Sequence, residues 1–343
     1  MKYLDIFSGV GGFTLGIKQA YEKLQNGESS GGLGQEESLS ERFMSDSSSQ
    51  SDKRQHPSCI GFSEIDKYAI QVYNKQFNHK NYGDITKINA RELEDFDLLV
   101  GGFPCQSFSI AGKRGGFDDT RGTMFFEIAR IVKEKQPRLL LLENVKGLLS
   151  HDKGNTFYTI ISTLDELGYD CQWQVLNSKN FGVPQNRERV FIIGHLRGTS
   201  RPEVFPIGEG SREITQDAVI IDGYNKNYRK DYGSIRTNAG CHTACNLIQE
   251  NKPKHSNDRV YSDKGLSPTL NTMQGGNRQP FVKGEAKIRR LTPTECMRLQ
   301  GFPDDWCDVG ADGKLISDCQ KYKMAGNAVT VNVVAEIIKR LIK

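Results

Sequence analysis

The sequence predicts an α/β fold: a doubly wound, largely parallel sheet, followed by a second, smaller domain of irregular β structure. Three observations carry that reading. Strand, glycine turn and helix open the chain (Tyr3–Phe7, Ser8-Gly9-Val10-Gly11-Gly12, then apolar residues at Phe13, Ile17, Ala20, Tyr21 and Leu24). Short apolar runs recur as buried strands at Cys59–Phe62, Asp97–Val100, Arg138–Leu142 and Val190–Gly194. From about Leu196, Ser, Asn, Gly and Pro dominate, and helical periodicity is lost until Thr292-Pro293-Thr294-Glu295.

At 343 residues the chain can bury a substantial core, as one large or two unequal domains. Its N-terminus runs straight into a strand-like segment rather than a secretory signal, and no apolar run approaches membrane-spanning length. Eight cysteines without framework spacing are expected as reduced thiols in a cytoplasm. The net charge of +4 is unevenly placed: between Arg201 and Arg290, 15 lysines and arginines face 10 aspartates and glutamates. A polyanionic partner there is plausible, and a solvated basic face is an equally common cause.

In the first unit the glycine turn lets a ligand approach the backbone, and the helix behind it offers unpaired N–H groups. The pattern is G-x-G-G, lacking the third glycine of the dinucleotide fingerprint, which disfavours a nicotinamide-dependent oxidoreductase. Gln25–Pro57 is rich in Ser, Gly, Gln and Glu and reads as a disordered insertion, with too little apolar surface to offset its ordering entropy. The second strand ends at Ser63-Glu64-Ile65-Asp66, where such folds bind ribose hydroxyls. Another acid follows in Gly83-Asp84-Ile85-Thr86.

Asp97–Val100 closes on Gly101-Gly102, after which Pro104 stiffens a turn with Cys105 at its tip. A thiol beyond a strand end is placed for nucleophilic work, although most free cysteines are small buried hydrophobes. Ser107–Gly122 is long and aperiodic, as functional lids are. A helix with Met124, Ile128 and Ile131/Val132 on one face comes next. The strand Arg138–Leu142 ends at Glu143-Asn144-Val145, and Thr156–Leu167 is an amphipathic helix. Gln185–Arg189 leads two arginines into the last strand of the unit. Each acid alone is ordinarily a surface residue, but Glu64, Asp84, Cys105 and Glu143 all lie at strand ends, which a parallel sheet gathers along one edge. At the other end of the chain, Gly326-Asn327-Ala328-Val329 precedes a helix whose Val331, Val334, Ile338 and Leu341 return to cover the first domain.

Phe7–Gly12, Gly102-Phe103-Pro104-Cys105-Gln106, Glu143-Asn144-Val145, Gln185–Arg189, Arg290–Pro293 through Gln300–Pro303, and Gly326–Val329 closely resemble, in order, the motif set of DNA (cytosine-5)-methyltransferases, the bacterial restriction–modification type above all. The resemblance spans nearly the whole chain apart from Gln25–Pro57 and most of Gly198–Lys254. It implies a Rossmann-like methyltransferase sheet (1–196 with 320–343) and a target-recognition domain (197–319). It also implies S-adenosylmethionine as donor, double-stranded DNA as substrate, and a cognate restriction endonuclease as partner. The chain is expected to be a cytoplasmic monomer without metal.

By family position, Phe7, Gly9, Gly11 and Gly12 pack the donor, Glu64 holds the ribose hydroxyls, and Asp84 with Ile85 contacts adenine. Ile65 stands where the family often has an aromatic residue, and Pro104, Asn327 and Ala328 complete the pocket. Cys105 is implied as the nucleophile on carbon 6 of a flipped cytosine, Glu143 as the group on its N3 edge, and Arg187 on its carbonyl, with Arg189 in support. Thr269, of a Thr-Leu pair, is implied beside the DNA backbone, and Arg259 at a base. Cys241-His242 and Cys245 lack a second ligand pair, and the charged run Lys226–Asp231 is as well explained by a solvated loop. Two other readings remain: a transfer-RNA cytosine methyltransferase, whose Cys-Phe-Thr signature is missing, and a DNA-binding regulator with a silent site.

Overall fold

A computed structural model describes residues 1–26, 56–104, 124–207, 259–272, 279–283 and 288–342. Most of the Gln25–Pro57 insertion, Cys105, the Ser107–Gly122 lid, the Lys226–Asp231 run and the Cys241–Cys245 cluster lie outside these described residues.

The main sheet comprises β1 (Lys2–Ile6), β2 (Ser58–Ser63), β3 (Leu98–Gly102), β4 (Leu139–Val145), β5 (Tyr169–Asn177) and β6 (Glu188–Leu196), in the order β2-β1-β3-β4-β6-β5. The first four are parallel, and β6 runs antiparallel to both β4 and β5. Alternation along the central strands explains why the sheet is sandwiched. Leu139 and Leu141 enter one apolar cluster with Tyr3, Leu98 and Val100, while Leu140 and Leu142 enter another with Leu4, Ile6 and Leu99. A strand buried on both faces therefore reads as the continuous run Leu139–Leu142 rather than as a period of two.

The first face is covered by α1 (Gly12–Gln25) and α7 (Val331–Leu341), the second by α3 (Met124–Lys135) and α4 (Asn155–Glu166). The return of the C-terminal helix over the first unit is thus confirmed. Gly16 is what lets α1 and α7 touch: a Cβ there would lie 2.7 Å from Val334 Cβ and 3.1 Å from the Val331 carbonyl.

Three elements differ from the sequence reading. β5 is an edge strand of partly buried residues (YDCQWQVLN) and presents no apolar run. α2 (Lys67–Gln76), capped by the Asp66 carboxylate, follows β2 directly. α6 (Asp318–Asn327) buries only Met324, Ala325 and Gly326, too few to set a helical period.

The irregular region contains a three-stranded sheet, β7 (Val260–Ser262), β8 (Phe281–Lys283) and β9 (Ile288–Arg290), in that order. α5 (Pro293–Arg298) follows, opened by a capping box in which Thr292 and Glu295 exchange hydrogen bonds. Glu295 also pairs with Arg289, both buried. Leu291, Leu299, Phe302, Trp306 and Ile316 share one apolar cluster with Val10, Leu15, Ala69 and Val72, so this stretch packs on α1 and α2. Among the described residues no helix is long and apolar enough to cross a membrane.

Candidate active site

β1 lies between β2 and β3, so the chain leaves it in opposite directions and opens a crevice beyond the strand ends. The turn there bends sharply. Phe7, Gly9 and Gly11 all have positive φ (51°, 54° and 88°), and the Gly11 N–H donates to the Ser8 carbonyl at 2.9 Å. Trp306 Nε1 donates to the Val10 carbonyl at 3.0 Å, so the segment after α5 helps to hold the turn.

Glu64 is built into this turn. Its Oε2 accepts from the Gly9 N–H at 2.9 Å, and its Oε1 accepts from the Ile65 and Asp66 N–H groups at 2.8 Å each. Oε1 thus has both acceptor sites filled, while Oε2 keeps one that can still accept from a hydroxyl. Asn81 ties the neighbouring segment in, donating to the Glu64 carbonyl at 3.2 Å and accepting from the Gly83 N–H at 2.8 Å. Asp84 accepts from the Thr86 N–H and hydroxyl, which hold its carboxyl below the usual range.

Ile85 turns its side chain into the core, 3% exposed, leaving its backbone for any ligand contact. Arg130 fixes that backbone by donating to the Ile85 and Ile88 carbonyls at 2.9 and 2.8 Å. Ile65, by contrast, is 74% exposed.

The other wall is the end of α6, where Asn327 is exposed and Ala328 is the helix cap. An ion pair of 2.5 Å between Lys323 and Asp66 joins the two walls. Burial raises the Asp66 carboxyl, but Lys323 and the Ala69 and Tyr68 N–H groups outweigh it, leaving a net downward shift.

Beyond β3, Phe103 is buried against the Phe125 ring and Pro104 is exposed. Asn144 Nδ2 donates to the Phe103 carbonyl at 2.8 Å, anchoring the backbone that delivers Cys105. Glu143, opposite Gly102 in the sheet register, pairs with Arg189: Nε lies 3.0 Å from Oε1, and both side chains are nearly enclosed. Burial pushes the Glu143 carboxyl up, and Arg189 and then Arg187 pull it back.

The strand directions explain how two arginines at the entrance of one strand reach an acid late in another. Because β6 is antiparallel, Val145 faces Arg189 and the entrance of β6 lies at the site edge. A fifth parallel strand would have put them at the opposite edge.

Arg187 is held by backbone carbonyls. It is 2% exposed, and its guanidinium donates to the carbonyls of Leu270 (3.1 Å), Gly326 (3.0 Å) and Ala328 (2.9 Å). Arg189, expected only in support, is the arginine that touches Glu143. Burial and the neighbouring Arg189 charge pull Arg187 down to about 9, against the opposing effect of Glu143.

Thr269 is exposed, its hydroxyl donating to the Asn186 carbonyl at 2.6 Å, so it stands beside the Gln185–Arg189 segment. Arg259 is exposed immediately before β7. The sequence reading missed Asn81, Arg130, Trp306 and the Asp66–Lys323 pair. Each acts through a neighbour's backbone or charge, and no motif marks such a residue.

With this geometry in view, the comparisons are direct. The model of the C-5 cytosine-specific DNA methylase family matches residues 1–343. The chain is similar to the type II methyltransferase M1.ScrFI of Lactococcus lactis subsp. cremoris, 35% identical over 361 residues, covering 100% of this chain and 78% of that protein. It is also similar to the type II methyltransferase M.HhaI of Haemophilus parahaemolyticus, 33% identical over 362 residues, covering 98% and 93%. Among solved structures, the Dnmt2 methyltransferase of S. pombe shares the fold, with a TM-score of 0.67 at 18% identity, covering 100% of this chain and 98% of that one.

Proposed function

This chain belongs to the C-5 cytosine-specific DNA methylase family, and from that premise we propose that it methylates a flipped-out cytosine in duplex DNA through a covalent Cys105 adduct, as the modification half of a restriction–modification system. The methyl donor of the family is S-adenosylmethionine. The observation that carries the reading is the Glu143–Arg189 pair, 3.0 Å apart, beside the backbone that leads into Cys105.

The residues of the crevice fit the donor. A Cβ on Gly9 would meet nothing within 4 Å, so the turn leaves space, and the Glu64 carboxylate is held rigidly at its edge. Glu64 would take the ribose hydroxyls, and the Asp84–Ile85 backbone and Ile65 would flank the adenine. Phe7, Gly11, Gly12, Pro104, Asn327 and Ala328 would close the pocket. Bound there, S-adenosylmethionine supplies an electrophilic methyl group.

Cytosine carbon 5 is a weak nucleophile, and the chain's residues correct that. Cys105 as thiolate adds to carbon 6, which places the electron pair on carbon 5 and the enamine system. A free thiol titrates at about 8.5, so positive charge beside it would favour the reactive form. Glu143, raised by burial, can hold a proton toward the base N3 and accept from its amino group as negative charge builds.

Arg189, which pairs with Glu143 while Arg187 binds the carbonyls on either side of Asn327, would grip the base carbonyl. After methyl transfer the carbon 5 proton leaves to a base, the carbon–sulfur bond breaks, and aromaticity returns. A base within a duplex is out of reach of this chemistry, so the target must be extruded. Within the recognition domain at 197–319, Thr269 would meet the DNA backbone and Arg259 a base edge. The enzyme would act as a monomer in the cytoplasm beside its cognate endonuclease.

Bisulfite sequencing of DNA from cells expressing the protein tests this directly: protected cytosines in one short context are expected. Cys105→Ala should abolish them while duplex binding persists, and full protection in that variant would exclude the mechanism.

A further inference from the structure

One buried guanidinium joins two parts of the molecule that the proposed function uses separately. The carbonyls of Gly326 and Ala328, which Arg187 binds, flank Asn327 in the donor wall. The third carbonyl belongs to Leu270, the residue after Thr269. The two segments also meet directly. A Cβ on Gly326 would lie 2.0 Å from the Asn271 carbonyl oxygen, so backbone rests on backbone with no side chain between.

Gln185 reinforces the junction, with Nε2 donating to the Leu299 carbonyl at 2.8 Å and Oε1 accepting from the Leu270 N–H at 3.4 Å. Nearby, Gln300 donates to the Ala325 carbonyl at 3.0 Å and accepts from the Thr330 hydroxyl at 3.0 Å. The guanidinium reaches these three carbonyls from two nitrogens fixed in one plane, whereas an ammonium group would have to serve both segments from a single nitrogen.

We infer that Arg187 is a positioning residue that clamps the Thr269–Asn271 segment to the Gly326–Ala328 turn, so that donor and duplex each bind more tightly when the other is present. The inference rests on the reading that Asn327 and Ala328 line the donor pocket and that Thr269 meets DNA. A ligand that orders the turn fixes, through Arg187, the segment the other ligand must order, and such coupling is reciprocal.

The test uses the full chain, S-adenosylhomocysteine as an unreactive donor probe, and a duplex carrying the site found by bisulfite sequencing. Probe affinity is measured by calorimetry with and without the duplex. In the wild type the duplex should tighten the probe at least about fivefold, within the usual range for coupled sites. Arg187→Lys should bring that factor close to one, whereas Arg189→Lys should keep the factor and lose turnover.

Mere loss of stability would lower the melting temperature without changing the factor in the folded molecules. Should Arg187→Lys not fold, Thr269→Val, an exposed position bonded to Asn186, loosens the same segment and must also lower the factor. A wild-type factor of one, or an unchanged factor in the variant that can be measured, would overturn the inference while leaving the methyltransferase reading intact. A wild-type chain that bound neither ligand would overturn both.

Discussion

Asp5 offers a stringent check on the electrostatics beneath the donor turn. It lies in the middle of β1, fully buried, with Oδ2 accepting from the Thr14 hydroxyl at 2.8 Å and Oδ1 without a hydrogen-bond partner among the described residues. Burial pushes its carboxyl from 3.8 up to about 7, opposed by the Thr14 hydrogen bonds and aided by Glu64. Between those values the folded chain holds a proton that the unfolded chain has lost. Stability therefore falls as pH rises from about 4 to about 7 and is level above that.

The shift is about three pH units, each worth about 1.4 kcal/mol, so the whole effect has a ceiling of about 4 kcal/mol. Asp5→Asn imitates the neutral acid at every pH. Any cost of burying its amide nitrogen does not vary with pH, so the informative quantity is the slope of the difference. Urea unfolding of both chains at about pH 5, 6, 7 and 8 should show the variant gaining on the wild type by up to about 1.4 kcal/mol per unit, levelling off past neutrality. A difference that stays constant across that range would refute the assignment of a proton to Asp5.

Two further outcomes follow from packing. Gly16→Val forces a branched side chain into the α1–α7 contact and should cost about 1–3 kcal/mol, read as a fall in melting temperature; an unchanged melt would show that the helices can part freely. Ile65→Phe gives the exposed edge of the proposed pocket an aromatic face, and about 0.5–1.5 kcal/mol of stacking should tighten S-adenosylhomocysteine about two- to twelvefold. Unaltered affinity would remove Ile65 from the adenine site.

Much of this architecture could be read from the chain itself, for identifiable reasons. Leu139–Leu142 announces a strand buried on both faces, and the Phe7–Gly12 turn and Glu64 fall where the sheet order opens a crevice. Glu143 was legible for the same reason, as a lone acid closing an apolar run.

β5 was not legible, because an edge strand that buries little carries no continuous apolar signal. Nor was the direction of β6: the residues Val190–Gly194 are equally apolar read either way, and only the pairing with β4 shows that the strand begins at the site. That direction decides which arginine is which. Two residues apart at the entrance of β6, Arg187 and Arg189 differ in their partners: one binds carbonyls of residues 270, 326 and 328 while the other meets Glu143. Long-range partners of that kind leave no local trace.

The packing of α7 against α1, and the Asp66–Lys323 pair, have a consequence for synthesis. Residues 318–341 are made after everything else in the crevice, so a polypeptide still threading through the ribosome has a glycine turn without its opposite wall. Such a chain can begin to form β1 to β4, yet it lacks the Asn327–Ala328 wall that the proposed donor site requires. On the proposed reading, competence to modify DNA therefore arrives late in translation.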